Sequence, residues 1–142
     1  MDTEIGALIG RNQLKRLDEN NEKRRLNQQI FLDGLDGGRF RKSFQIEGSC
    51  SYAFNIILNE PDIELRDLLE KVMTQARVEY RRGSAGGGNQ LRQPYLRGII
   101  KEGECEQYPE VEHVHHFGWY IGNYPDLQEA KILDICELLN CA

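Results

Sequence analysis

The segment from Arg81 to Arg97, RRGSAGGGNQLRQPYLR, sets Arg81, Arg82, Arg92 and Arg97 around Gly83, Gly86, Gly87 and Gly88 with no carboxylate among them. Glycine main chain lets a ligand approach closely, and a guanidinium presents a planar fork to phosphate or carboxylate. The pattern points to a phosphorylated or diphosphate ligand, with a flexible basic loop as the plain alternative. It is not a Walker A loop, because no Lys-Ser or Lys-Thr follows the glycines, and it lacks the G-x-G-x-x-G spacing of a dinucleotide fold. A long loop in a small domain is itself a functional signal.

Other residues with chemical potential are less organised. His113, His115 and His116 (HVHH) invite a metal reading, but no His-Glu-x-x-His or paired cysteines complete a ligand set. They are expected just before a strand, one buried and hydrogen-bonded and the others exposed. Cys50, Cys105, Cys136 and Cys141 form no Cys-x-x-Cys, and Cys136 falls on an apolar helical face as a small core residue. Glu47, Glu79 and Glu112 are loose acid/base candidates without a partnered nucleophile. None of Lys15, Lys23, Lys42, Lys71, Lys101 and Lys131 lies in the apolar context that favours a Schiff-base amine.

Length and composition fit one domain with a core of its own: 142 residues, 39% apolar and 29% charged. The net charge of -5 is uneven, with nine carboxylates against Lys131 alone over residues 102–142. That balance, without an aromatic-basic stacking platform, argues against nucleic acid. No stretch approaches the ~18–20 apolar residues of a membrane span, and MDTEIGALIGRNQ lacks the basic-then-apolar order of a signal peptide, so a cytoplasmic location and no membrane contact are expected.

The elements that must position these residues follow from periodicity. Ile5, Leu8, Ile9, Leu14, Leu17, Leu26 and Ile30 predict one long helix over residues 3–32, ended by the glycines from Gly34 to Gly38. Its KRLDENNEKRR portion offers few apolar anchors and is expected on the surface or against a partner. SYAFNIIL (51–58) predicts a strand. Leu65, Leu68, Leu69, Val72, Met73 and Ala76 predict a helix lying on a sheet, and residues 78–81 and 117–121 predict two more strands. GNYPD (122–126) reads as a turn and cap before a closing helix carrying Leu127, Ala130, Leu133, Ile135, Cys136, Leu138 and Leu139. The expected fold is a small α/β or α+β sandwich with helices covering one face of a sheet of three or slightly more strands.

Three stretches in order, TEIGALIGRNQLKRLDE (3–19), GNQLRQPYL (88–96) and GWYIGNYPDL (118–127), resemble landmarks of the DegT/DnrJ/EryC1/StrS sugar aminotransferases. These are fold type I enzymes using pyridoxal 5'-phosphate on nucleotide-linked 4-keto-6-deoxy sugars. The resemblance covers nearly the full length. The Gly88, Asn89, Arg92, Gln93, Pro94, Tyr95 pattern is most similar to the branch of CDP-4-keto-6-deoxyglucose-3-dehydrase and GDP-sugar 3-dehydratase, including lipopolysaccharide-biosynthesis members. It implies that Arg81, Asn89, Arg92 and Gln93 face the sugar nucleotide.

By that resemblance the chain is the family's C-terminal small domain: a linking helix over residues 1–36, then a small α/β domain over 37–142. The large domain that holds pyridoxal phosphate and its Schiff-base residue is expected to be absent, with Met1 standing at an internal methionine of a longer reading frame. The chain alone is then expected to bind no cofactor and to lack turnover. The alternatives left open are an interaction module or split-enzyme subunit docking on a separate large domain, a homodimer as in the family, and a gene fragment without function. In the module reading the polar part of the first helix, with Phe117, Trp119 and Tyr120, would meet the partner.

Overall fold

Thr3 accepts the Gly6 N–H on its hydroxyl at 3.2 Å, which caps α1 (Glu4–Leu14). The computed structural model describes residues 3–85 and 88–142, apart from the Ser84 side chain, so Gly86 and Gly87 lie outside the described residues. The single helix expected over 3–32 is interrupted: Lys15 and Arg16 form a turn before α2 (Leu17–Gly34). Arg16 N–H bonds the Gln13 carbonyl at 3.0 Å, a tight bond that closes the last turn of α1. α1 buries none of its side chains, so no core contact holds its axis in line with α2. Ile5, Leu8 and Ile9 are more than half exposed.

α2 is anchored by its second half, where Asn27, Gln28, Phe31 and Leu32 are buried. At its end Gly34 meets α5 (Glu129–Asn140) so closely that a Cβ would stand 2.9 Å from Cys136 Sγ. Among the described residues the strands are β1 (Ala53–Ile57), β2 (Tyr80–Arg82) and β3 (Gly118–Gly122), close to the expected spans. β1 and β2 flank α3 (Ile63–Gln75) in sequence, and β3 inserts between them, antiparallel to both. Asp62 caps α3 by accepting the Leu65 N–H at 2.9 Å.

The register puts Phe54, Ile56, Trp119 and Ile121 on one face, where they pack with Phe31, Leu32, Leu69, Met73, Ile132, Cys136 and Leu139 in one core. Each of the larger side chains stabilises the fold by roughly 1.5–3 kcal/mol through the water it sheds. Cys136 is buried as expected, and burial pushes its thiol up to about 11. In α5 the buried row is Ile132, Cys136 and Leu139, while Leu133 from the expected stripe is 45% exposed. Glu70 of α3 pins the sheet: its carboxylate accepts from Trp119 Nε1 at 3.0 Å and meets Arg82 Nε at 2.5 Å. Trp119 is therefore buried in the core and is not the partner-facing residue the sequence suggested.

The opposite face carries the row Asn55, Tyr120 and Arg81, with Asn55 and Arg81 exposed. A helix that the sequence reading did not contain, α4 (Pro109–Phe117), runs directly into β3 and holds all three histidines. Among the described residues no helix is long and apolar enough to cross a membrane.

Candidate functional site

β2 delivers the chain into the glycine loop. Gly83 adopts φ +57, the left-handed region, and its carbonyl accepts the Gly88 N–H at 3.1 Å. A Cβ on Gly88 would lie 2.8 Å from Gly83 Cα and collide with His115 Nδ1, while one on Gly83 would sit 3.3 Å from His115 Cε1. The two glycines are therefore required by close packing against one imidazole.

Asn89 follows, only 2% exposed, and uses nearly every polar atom. Its N–H donates to His115 Nδ1 at 3.0 Å, and its Oδ1 accepts the Leu91 N–H at 2.9 Å to start the single turn Gln90–Arg92. Its Nδ2 donates to Glu112 Oε1 at 2.6 Å. Arg92 closes on the same carboxylate: Nε lies 2.8 and 2.9 Å from the two Glu112 oxygens, Nη2 also donates to Glu112, and Glu106 stands 3.4 Å away. The Arg92 fork, seconded by Asn89 and opposed by burial, holds the Glu112 carboxyl down at about 2.

The loop therefore has its carboxylate partners, supplied from α4 and from the turn before it rather than from the loop itself. Gln93 is half-buried, with its N–H on the Gln90 carbonyl at 3.1 Å, and leads into the turn Pro94–Leu96. Arg81 stands apart on the outer face of the sheet, its side chain 57% exposed and its Nη2 3.9 Å from Glu79. So the structure gathers Asn89 and Arg92 into one network with Gln93 just beyond it, while Arg81 projects separately.

The histidines do not converge. His113 Nε2 lies 2.6 Å from the Leu58 carbonyl, His115 receives Asn89, and His116 Nε2 is 3.6 Å from Glu112. Burial, then the neighbouring His116, lowers the pKa of His115. Sequence reasoning missed His115 as the post of the loop, and it placed Glu112 only among loose acid/base candidates. The available signal was the helix beneath them: Pro109 at its first turn, Glu110 and Glu112 near its N-terminus and His115 and His116 at its end.

None of the six lysines is buried. Lys23 is half-buried and paired with Glu19 at 2.9 Å, and the other five are exposed. No concavity among the described residues combines a buried lysine with a phosphate cradle, so these residues do not fit pyridoxal phosphate by themselves.

A profile of the DegT/DnrJ/EryC1/StrS aminotransferase family matches residues 2–140. A search of curated proteins finds no match. Among solved structures, a GDP-4-keto-6-deoxymannose-3-dehydratase with a trapped PLP-glutamate geminal diamine superposes with a TM-score of 0.76 at 23% identity, over 96% of this chain and 35% of that one. The E. coli GDP-4-keto-6-deoxy-D-mannose-3-dehydratase with bound hydrated PLP gives 0.74 at 23% identity, over 96% and 35%. A Streptococcus pneumoniae protein described as a sugar aminotransferase, in its PMP form, gives 0.81 at 15% identity, over 98% and 34%. These likenesses establish the fold, and the chain spans about a third of the length of each structure.

Proposed function

Because the chain belongs to the DegT/DnrJ/EryC1/StrS aminotransferase family, we propose that it supplies the substrate-side portion of a PLP-dependent nucleotide-sugar aminotransferase or 3-dehydratase. The assembly would act on a nucleotide-linked 4-keto-6-deoxy sugar in deoxysugar biosynthesis of the lipopolysaccharide O-antigen type. Pyridoxal phosphate, when bound, supplies an electron sink for bonds at the carbon next to the nitrogen. The residues that hold it lie outside these 142. In this reading residues 1–36 form the linking segment, residues 37–142 the small domain, and Arg81, Asn89, Arg92 and Gln93 the sugar-nucleotide side of the cleft.

The observation that carries the reading is the glycine loop, built on His115 and Glu112 while no lysine is placed for a Schiff base. Asn89 and Arg92 act by holding the loop's shape, and the outward Arg81 is the side chain placed to meet substrate directly.

The test is reconstitution. The purified chain with pyridoxal phosphate is expected to give neither Schiff-base absorbance nor turnover of a CDP- or GDP-4-keto-6-deoxy sugar, and co-expression with a PLP-holding large domain is expected to restore turnover. Absorbance or turnover from the chain alone would sink the proposal. A second reading, a docking module without catalysis, draws on the exposed Ile5, Leu8 and Ile9 of α1. Binding of the large domain without activity would favour it.

A further inference from the structure

Little among the described residues supports α1 as a helix. It carries Gly6 and Gly10 in its interior and buries no side chain, and it is 11 residues long. A helix that short is marginal in water, and each interior glycine costs it roughly 1 kcal/mol against alanine. The Thr3 cap closes one end only. The rest of its support must come from a surface that covers it.

The face to be covered is narrow. Ile5, Leu8, Ile9 and Asn12 recur at the a, d, e and a places of a heptad, which gathers them along one stripe. The three apolar members are each more than half exposed. Glu4 in the first turn and Arg11 in the last fall on one edge of that stripe, with Lys15 a turn beyond Arg11 on the same edge. Among the described residues these three charges have no ion-pair partner.

The placement of the charges selects one partner geometry. In a parallel pair of such helices, the edge that carries Glu4 lies against the opposite edge of its neighbour, where Ile9 stands, and the charges stay unanswered. In an antiparallel pair the like edges meet. Centring that pair between Leu8 and Ile9 lays Leu8 over Ile9 of the second copy and sets Glu4 level with the stretch between Arg11 and Lys15 of the second copy. The two-fold repeats each contact, and the opposed helix dipoles add to the match. Asn12, at the end of the stripe, supplies the single polar a position that fixes a register.

We propose that α1 is a self-association surface, through which two copies of this chain pair as an antiparallel two-fold dimer. Ile5, Leu8 and Ile9 form its seam, and Glu4 meets Arg11 and Lys15 of the second copy. Two helices of this length cover less than the ~1,200 Å² at which standard interfaces begin, so the dimer is weak, with a Kd in the micromolar range. The inference does not rest on the proposed function.

The test is sedimentation equilibrium of the 142-residue chain from micromolar to millimolar concentration, under reducing conditions so that the exposed Cys50 and Cys141 form no cross-links. A monomer–dimer equilibrium is expected, with amide shifts of residues 5–12 following it while those of β1 stay constant. Leu8→Glu sets a carboxylate in the seam and should weaken association at least about tenfold. Because α1 buries nothing within its own chain, the thermal melt of that variant should match wild type at concentrations where both are monomeric. Glu4→Arg should weaken the dimer by about threefold to tenfold, and adding Arg11→Glu to it should recover most of the loss. A monomer at every concentration, a dimer that Leu8→Glu leaves intact, or a charge reversal that has no effect or is not rescued by the second reversal would each overturn the proposal. A monomer that binds a separate PLP-holding large domain through α1 would overturn it while leaving the proposed function standing. The dimer as described, with no turnover on reconstitution, would do the reverse.

Discussion

The main-chain N–H of Asn89 donates to Nδ1 of His115 at 3.0 Å, which fixes that imidazole as the neutral tautomer with its proton on Nε2. Protonation would set two N–H groups against each other and add charge beside His116, Arg92 and Arg82. Burial already lowers the pKa of His115, with those neighbours adding to it against the pull of Glu112.

A histidine whose folded pKa is depressed binds fewer protons folded than unfolded, so its contribution to stability is full above its unfolded value of about 6.5. It falls as the pH drops below that value, until the folded pKa is passed. Protection of the Asn89 amide, taken relative to its intrinsic exchange rate at each pH, is expected to fall over that window before global unfolding. His115→Phe should remove the step and cost about 1–3 kcal/mol by stranding the Asn89 donor, measured by urea denaturation at neutral pH. An unchanged exchange profile in His115→Phe would show that the imidazole is not the latch.

Glu112 has the opposite sign of linkage. Arg92 first, and Asn89 after it, hold its carboxyl at about 2, so the stabilisation is present above the ordinary carboxylate range and is lost as the pH falls from about 4.5 toward 2. Glu112→Gln keeps the shape and removes the charge that Arg92 clasps. A loss of roughly 1.5–3 kcal/mol is expected at pH 7, shrinking toward pH 2, because a hydrogen bond to a charged group carries about that much. Stability curves of wild type and variant that stay parallel down to pH 2 would contradict it.

Much of this architecture was legible because local patterns coincide with burial. The α3 stripe contains Leu69 and Met73, both buried, and the β1 and β3 segments carry the alternation that fills the core. Other elements were hidden for physical reasons. The break at Lys15 and Arg16 has no glycine or proline to announce it and reflects missing tertiary support for α1. In α4 the histidines drew attention as chemistry, while Val111, Val114 and Phe117 sit at helical spacing without becoming fully buried. The loop's real anchor, Arg92 to Glu112, spans 20 residues of sequence, and a charge pair at that distance leaves no periodic trace.

Two glycine substitutions should part company. Gly88→Ala forces a methyl into His115 and to within 2.8 Å of Gly83 Cα, so the loop must shift. Overpacking of that kind costs typically about 1–3 kcal/mol. Gly10→Ala, inside α1 with nothing within 4 Å of the new Cβ, should stabilise by about 0.5–1 kcal/mol through helix propensity alone. Thermal melts of the two variants beside wild type give both signs in one experiment. A Gly88→Ala protein as stable as wild type would mean the loop does not depend on this packing.

Asn123 joins three parts of the fold from a position 3% exposed. Its Nδ2 donates to the Ser51 carbonyl at 2.7 Å and to the Arg24 carbonyl at 2.8 Å, and its Oδ1 accepts from Asn27 Nδ2 at 3.1 Å. α2, the entry to β1 and the exit of β3 are thereby tied before the chain turns into α5. Asn27 keeps a second bond, to the Tyr124 carbonyl at 3.0 Å, so losing Asn27 strands less than losing Asn123. Asn123→Ala is expected to cost about 2–3 kcal/mol, since buried carbonyls lose donors that water does not reach. Asn123→Asp should cost at least as much at pH 7, because a carboxylate has no donor for Ser51 and Arg24 and would carry charge into the site. Thermal melts of both variants beside wild type read these costs, and an Asn123→Ala protein as stable as wild type would contradict the hub.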